Sequence, residues 1–451
     1  MKKTIPLILL FLLVFAGAFL LGARDRITPP AVLSPEETLA EPMPIEVEQE
    51  PSSIPDAPGS LPEDVESVPE STPEPAPEPT PEPTPAYDLN FSVAGQELSS
   101  NPSSLDLTQA TSEEIDRLIA VLPALSSLQS VELGNAAAEQ PLISWDRVRA
   151  IKEGAPQADL HYSFTVRGYP FSLSDEILNL NHLTFEDEGA LVTQIAACMP
   201  NLRLIDMDSC GVSNDGMAAI QKQFPDVEVV WRVLIGIDYS ARTDATRLVI
   251  SNPDRGGNLD TPESVAGLYY CTKVKYLDLG HNYLMSDISF INNMPDLEVL
   301  ILAMTAVKDI SPLANCKNLN YLEYQTSAAG DLSPLSELTN LKDLNICYNF
   351  ALRDIRPLYN LDLDRLYIGC LSPVPPAQIE EYKQLHPNCI VNTTTEDPTD
   401  ECWRYGDISG NGGWETAPRY DLLRQQMEYD NFAGCYAYRG NDPREYMRFE
   451  Y

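Results

Sequence analysis

Basic residues are scarce in this chain. Thirty Lys and Arg stand against 67 Asp and Glu, for a formal charge of −37. A nucleic-acid partner needs a basic footprint on its phosphate backbone, so no nucleic-acid partner is expected. Histidines number four, and His161, His182, His281 and His386 lie far apart in the chain. No H-E-x-x-H, G-x-S-x-G or P-loop occurs, and no C-x-x-C. Metalloprotease, serine-hydrolase, nucleotide, zinc and thioredoxin-like chemistries therefore have no motif to stand on. No catalytic, cofactor-binding or metal-binding residue is expected, and the chain is read as a non-enzyme. The run from Asp407 to Gly412 resembles a calcium loop only in part: its twelfth position is Pro418, where a bidentate glutamate is needed. The nine cysteines begin only at Cys198, which excludes a lipid-modified N-terminal cysteine. Cys198 and Cys210 fit small core positions. Cys402 and Cys435 are the pair considered for a disulfide, because they flank the C-terminal tail. There is no C-terminal sorting motif of the LPxTG kind.

What is present starts with an apolar run. Residues 1–26 place Lys2 and Lys3 before 19 unbroken apolar residues, Ile5 to Ala23, and Arg24, Asp25 and Arg26 after it. A cleaved secretory signal carries a core of roughly 7–15 residues and a spanning helix about 20, so the run lies between them and nearer the anchor. The expectation is a signal-anchor through residues 5–23 with the rest of the chain outside, against secretion after signal cleavage. Residues 27–86 hold 14 Asp or Glu, no Lys or Arg, and 17 of the 38 prolines. Such a segment cannot offset chain entropy with a core and is expected to be an extended, disordered spacer.

From about Tyr87 the composition becomes globular. Between Val274 and Cys370, Leu277, Leu300, Leu322, Leu344 and Leu366 recur at intervals of 23, 22, 22 and 22 residues. Asp287, Asp309, Asp331 and Asp354 each open a D-[IL]-x-[FP]-[IL] phrase. Self-similarity at this period marks a solenoid. In each L-x-L the leucines point inward and the middle residue outward. Asn282, Thr305, Ser327 and Asn349 follow the first leucine by five residues and can hydrogen-bond the backbone of neighbouring turns. Proline in the D-I-S-P-L phrase stops helix propagation, so the convex side should be short 3₁₀ turns. These residues resemble the 22-residue leucine-rich repeats of bacterial internalins, from which Thr305 and Ser327 depart by standing in place of asparagine. The resemblance implies a curved parallel sheet on the concave side and a role in binding other macromolecules.

A weaker periodicity precedes this block. LDLTQATSEEIDRLIAVLP from Leu105 is similar to LNLNHLTFEDEGALVTQIAACMP from Leu178. Strands around 131–133, 160–162, 178–180, 204–207, 227–231 and 248–250 are expected to alternate with amphipathic helices. This resembles the longer ribonuclease-inhibitor type of repeat, and an unrelated α/β domain is the alternative. The expected fold class is thus an α/β leucine-rich-repeat solenoid, divided into longer repeats over 87–272, 22-residue repeats with a closing helix and strand over 273–392, and an aromatic tail over 393–451. The tail is read as a cap with a helix near Arg419–Tyr429. Its alternatives are a carbohydrate site or a cover over the concave face.

Stacked repeats place variable positions in columns. Tyr276, Val299, Tyr321, Asp343 and Arg365 form one; Asp278, Ile301, Glu323, Asn345 and Tyr367 the next; His281, Met304, Thr326, Tyr348 and Cys370 a third. Within them Ile301, Met304, Tyr321, Tyr348 and Tyr367 are expected to form an exposed apolar, aromatic patch flanked by charge. The candidate partner-binding residues are Tyr276, Asp278, His281, Ile301, Met304, Tyr321, Glu323, Asp343, Asn345, Tyr348, Arg365 and Tyr367. The expected partner is an unidentified protein or cell-surface ligand. A cell-envelope glycan binder and a hidden hydrolase are the alternatives.

Overall fold

The computed structural model describes residues 87–429 apart from 238, 252–258, 329, 370–371, 396–397, 400–401 and 408–414. The apolar run at 5–23, the acidic spacer, Cys370 and Cys435 lie outside the described residues. Among the described residues no helix is long and apolar enough to cross a membrane.

Two strand–helix units open the fold. Strands Ser104–Asp106, Ser130–Ala137 and Asp159–Val166 are parallel, and Tyr169–Ser172 adds to the last antiparallel. Helix Ser112–Val121 buries Ile115, Leu118 and Val121, a spacing that puts all three on one face. It starts at a capping box: Thr111 accepts from the Glu114 amide while the Glu114 carboxylate accepts from the Thr111 amide. The free edge of this sheet is closed by one side chain. The Gln96 amide donates to the Asp106 carbonyl at 2.6 Å and accepts from the Asp106 amide at 2.9 Å, standing in for a missing strand.

A second parallel sheet follows, made of Ile177–Asn179, Leu204–Asp206 and Glu228–Val230, with helices Ala190–Ala196 and Asn214–Gln223 between the strands. The hairpin Arg232–Ile235/Tyr239–Arg242 then interrupts the series. Its backbone packs so closely on Gly267 that a Cβ there would fall 2.2 Å from the Leu234 carbonyl oxygen, so only glycine fits. The sheet is therefore not one continuous ladder. It breaks at the antiparallel Tyr169–Ser172 strand and again at the hairpin.

The third sheet has seven parallel strands: Arg247–Val249, Tyr276–Asp278, Val299–Ile301, Tyr321–Glu323, Asp343–Asn345, Arg365–Tyr367 and Ile390–Asn392. Leu277, Leu300, Leu322, Leu344 and Leu366 stand in register across it and are fully buried. Burying each such leucine is worth about 1.5–3 kcal/mol, and only stacking of repeats achieves it. On the convex side the chain turns through 3₁₀ segments Ser289–Asn293, Ser311–Asn315, Ser333–Leu335 and Arg356–Leu358. Each is started by an aspartate whose carboxylate accepts the amide two residues on: Asp287 from Ser289, Asp309 from Ser311 and Asp331 from Ser333 at 2.8 Å, and Asp354 from Arg356 at 3.0 Å.

The polar ladder is real but uneven. Asn282 donates to Ile250 O in the preceding turn and to Leu279 O in its own, at 2.9 and 2.8 Å. Asn349 does the same toward Tyr324 O and Ile346 O. Thr305 donates to Leu302 O of its own turn, Ser327 reaches back to that same carbonyl, and the two hydroxyls lie 3.5 Å apart. In the second sheet Cys210 takes the equivalent place: its thiol donates to Leu180 O of the preceding turn at 2.9 Å. The residue before each ladder position is left-handed, with φ of 59° at Ser209, 63° at His281, 61° at Met304, 55° at Thr326 and 56° at Tyr348. The series closes with helix Pro376–Leu385 and strand Ile390–Asn392, locked by the Tyr382 hydroxyl on Leu361 O and by Ile355 N on the Gln378 side chain.

Candidate functional site

The concave face of the seven-stranded sheet is where the candidate residues fall, and the chain's own C-terminal segment lies on it. After the last strand the backbone passes over Gly369, where a Cβ would meet Thr395 O at 2.9 Å. It runs back through Cys402–Tyr405 to helix Pro418–Met427, which packs on the Arg247–Val249 and Tyr276–Asp278 strands. The helix starts with Pro418 at its first turn, so the position that fails as a calcium ligand is used as a helix start. Rather than capping the end of the last repeat, the tail crosses the hollow of the sheet. It closes a second apolar cluster of Val299, Ile301, Tyr321, Tyr367, Trp403 and Leu423, separate from the leucine core.

Trp403 is the centre of that cluster and is fully buried. Its ring lies 5.4 Å from Tyr321 and 4.9 Å from Tyr367, and the Arg365 guanidinium stacks 4.3 Å above it. The indole N–H donates to Glu323 Oε1 at 2.9 Å. Arg404 grips both oxygens of Glu323 with its Nε and Nη2, and Tyr321 and Gln325 donate to the same carboxylate. Burial alone pushes the Glu323 carboxyl up; the Arg404 charge and these hydrogen bonds outweigh it and hold the group at about 2. The Glu323 side chain is 0% exposed and that of Arg404 20%, so the pair is largely withdrawn from water.

Further polar contacts flank this centre. Arg419 donates to Asp343 Oδ2 at 2.8 Å and to Asn320 Oδ1 at 2.6 Å. Arg365 donates to the Asp343 carboxylate and to the carbonyls of Cys402 and Trp403 at 3.1 and 3.0 Å. Asn345 donates to Pro398 O at 2.7 Å. Tyr429 donates to Asp278, whose burial nevertheless pushes its carboxyl up. Arg247 pairs with Glu428 at 2.8 Å.

The structure brings the twelve candidate residues together but changes their exposure. Asp278, Ile301, Tyr321, Glu323, Asp343, Asn345, Arg365 and Tyr367 are all buried, and Tyr276 is half-buried. The expected open patch is corrected accordingly: the apolar positions that should face solvent are covered by Trp403 and the C-terminal helix. His281, Met304 and Tyr348 do not share the strand columns. They occupy the left-handed step that ends each strand and lie half-buried at the rim. Burial pushes the His281 imidazole down. The Tyr321–Tyr367 pair is filled by an indole, so it is closed as a stacking platform for sugar.

A further column escaped the sequence. Ala303, Gln325 and Cys347 are buried under the tail, one position before the left-handed step. Alternation counted to i+4 from the strand start would have found them. Also missed is a buried ion network in the second sheet. Arg232 pairs with Asp208 at 2.8 Å, and Arg242 pairs with Asp206 at 3.1 Å and Asp244 at 3.0 Å. The alternation of Asp206 and Asp208 along one strand was the available signal. Cys198 and Cys210 are buried, and burial pushes both thiols up to about 12, which leaves them inert. The thiol of Cys402 is free. Among the described residues no group of three or more His, Cys, Asp or Glu could hold a metal ion.

No family model matches the chain, and no curated protein does. Several solved structures are similar to it. An internalin from Listeria monocytogenes is 18% identical over 55% of this chain and 66% of its own, just under two thirds, with a TM-score of 0.26. Internalin C2 of the same organism is 22% identical over 32% of this chain and 74% of its own, with a TM-score of 0.21. A leucine-rich-repeat protein of Leptospira interrogans is 12% identical over 60% of this chain and 91% of its own, with a TM-score of 0.23.

Proposed function

We propose, from the premise that this chain is a leucine-rich-repeat protein with internalin-like 22-residue repeats, that it is a non-catalytic binding module that takes a protein partner in its concave groove. One observation carries this. The groove is shaped and charged to hold a polypeptide, since it already holds the chain's own residues Cys402–Tyr405 and Pro418–Tyr429. A face that buries an indole between two tyrosines and satisfies two arginines has the aromatic and electrostatic features of a protein-recognition site. Its half-buried rim, with His281, Met304 and Tyr348, is the part a partner meets first.

We further propose that the repeat domain stands outside a membrane, tethered by residues 5–23 and held away from it by the acidic spacer. The length of the apolar run and the lysines before it support this. Protease treatment of intact cells tests the placement: the repeat domain should be cut from outside while a cytoplasmic control survives. Protection of the repeat domain would overturn it. Secretion is the second outcome, read as the whole chain in the medium. Binding is tested by comparing purified full-length chain with its Met304→Asp/Tyr348→Asp variant against cell-surface protein. Equal capture by both would remove the rim from the site.

A further inference from the structure

We propose that the concave groove recognises a segment in which a tryptophan is followed by an arginine, and that Cys402–Tyr405 together with Pro418–Tyr429 is an intramolecular ligand which such a segment of a partner protein displaces. The inference rests on the groove being the binding site and adds the chemistry of what it binds.

The first argument is how the segment is held. On the sheet side the polar contacts come from side chains: Asp278, Glu323, Asp343, Asn345 and Arg365. Two of the partners offered by the segment are main-chain carbonyls, of Cys402 and Trp403, which any peptide possesses. Among the segment's side chains Arg419 reaches Asp343 and Asn320 and Tyr429 reaches Asp278, while the indole of Trp403 and the guanidinium of Arg404 converge on the one fully buried carboxylate, Glu323. An indole followed by a guanidinium is the feature read at the buried centre of the groove.

The second argument is charge. Across the boundary the groove sets Asp278, Glu323 and Asp343 against Arg247 and Arg365, an excess of one negative charge. At these contacts the segment answers with Arg404 and Arg419 against Glu428, although residues 402–429 as a whole hold four acids and three arginines. A partner segment must therefore set cations opposite Glu323 and Asp343, whatever its net charge.

The third argument is that the resident segment is an incomplete ligand. Arg365 Nη2 and Gln325 Oε1 are buried beneath it with no hydrogen-bond partner. Leaving such atoms unpaired is costly. A partner that supplies an acceptor to Arg365 and a donor to Gln325 gains what the chain's own segment forgoes, and this offsets the advantage of covalent attachment.

A fluorescein-labelled synthetic peptide copying residues 398–429 of this chain is the probe. It is titrated into the full-length protein, into the Trp403→Ala/Arg404→Ala variant with its own segment loosened, and into that variant carrying Glu323→Gln. The loosened variant should bind the probe at least about tenfold tighter than the wild type, and Glu323→Gln should abolish the gain. A folded loosened variant that binds no tighter overturns the proposal, as does binding that survives Glu323→Gln. Should the variants not fold, amide hydrogen exchange on the wild-type chain decides. Residues 402–405 and 418–429 must exchange through an opening that leaves the strands from Val299 to Tyr367 protected. Exchange of segment and strands together would make the tail a permanent part of the core and overturn the proposal. Failure of the broader reading shows elsewhere: capture of cell-surface protein unchanged by Glu323→Gln, with no probe bound, would leave a binding module whose groove is not the site.

Discussion

Glu323 is a carboxylate with no exposure to water, a situation tolerated only because Arg404, Tyr321, Gln325 and Trp403 surround it. Removing its charge while keeping its shape isolates the ion pair. Glu323→Gln should destabilise the folded chain by about 3 kcal/mol in urea denaturation, since it strands the Arg404 guanidinium. The coupling measured with Arg404→Gln should be about 1–3 kcal/mol, and a value below about 0.5 would mean that the pair is merely tolerated. The same carboxylate sets an acid limit. Its folded pKa is about 2 against an ordinary 4.5, so its contribution is fully present above 4.5 and is lost as pH falls toward 2. That loss is on the order of 3 kcal/mol. Asp278 works in the other direction: its carboxyl is raised, so its contribution is present at low pH and lost as pH rises through its folded pKa. Glu323→Gln should therefore flatten the decline in melting temperature between pH 4.5 and 2, and an unchanged profile would remove Glu323 from the acid response.

Each turn of the solenoid is an element defined by three features: an L-x-L strand, a polar ladder residue and an aspartate-started 3₁₀ turn. The ladder is weakest at Thr305, whose hydroxyl reaches Leu302 O in its own turn where asparagine at the same step also reaches the turn before. Thr305→Asn should let the new amide donate to Leu279 O and Leu302 O, raising stability by up to about 1 kcal/mol. A melting temperature that falls would show that Ser327, which also uses Leu302 O, needs the space. The left-handed step before the ladder explains why His281, Met304 and Tyr348 differ from the strand columns. Their backbone has turned before the side chain is placed, so they reach the rim while their strand neighbours face the groove.

Across the molecule the C-terminal segment changes how the repeats cooperate. In a solenoid each turn touches only its neighbours, and unfolding can proceed turn by turn. Here Arg247 on the first strand of the large sheet contacts Glu428 and the Gln426 carbonyl, while Arg404 and Arg419 grip Glu323 and Asp343 three and four strands away. One segment thus ties distant turns together. Urea unfolding of residues 247–392 followed by hydrogen exchange should be a single transition in the wild-type chain. The Arg404→Ala/Arg419→Ala variant should broaden it into turn-by-turn loss. Identical cooperativity in both would assign the coupling to the leucine core alone.

The sequence by itself determined the repeat. A leucine every 22 residues has one place to go, and the spacing of ladder residue and aspartate follows from one turn of chain, so strands, 3₁₀ turns and the closing helix were legible locally. It also gathered the candidate residues on one face, because columns follow from the period. The break of the sheet at Tyr169–Ser172 and at the Arg232–Arg242 hairpin was not legible, since both breaks look like further alternating strands. Only the tertiary structure decided whether the groove is open. A tail rich in Trp and Tyr fits an end cap, a sugar platform or a cover equally well, and the choice turns on contacts between residues far apart in the chain, such as Trp403 with Glu323. Local pattern cannot encode such a pairing; it is fixed when the two buried tyrosines, one carboxylate and one indole meet.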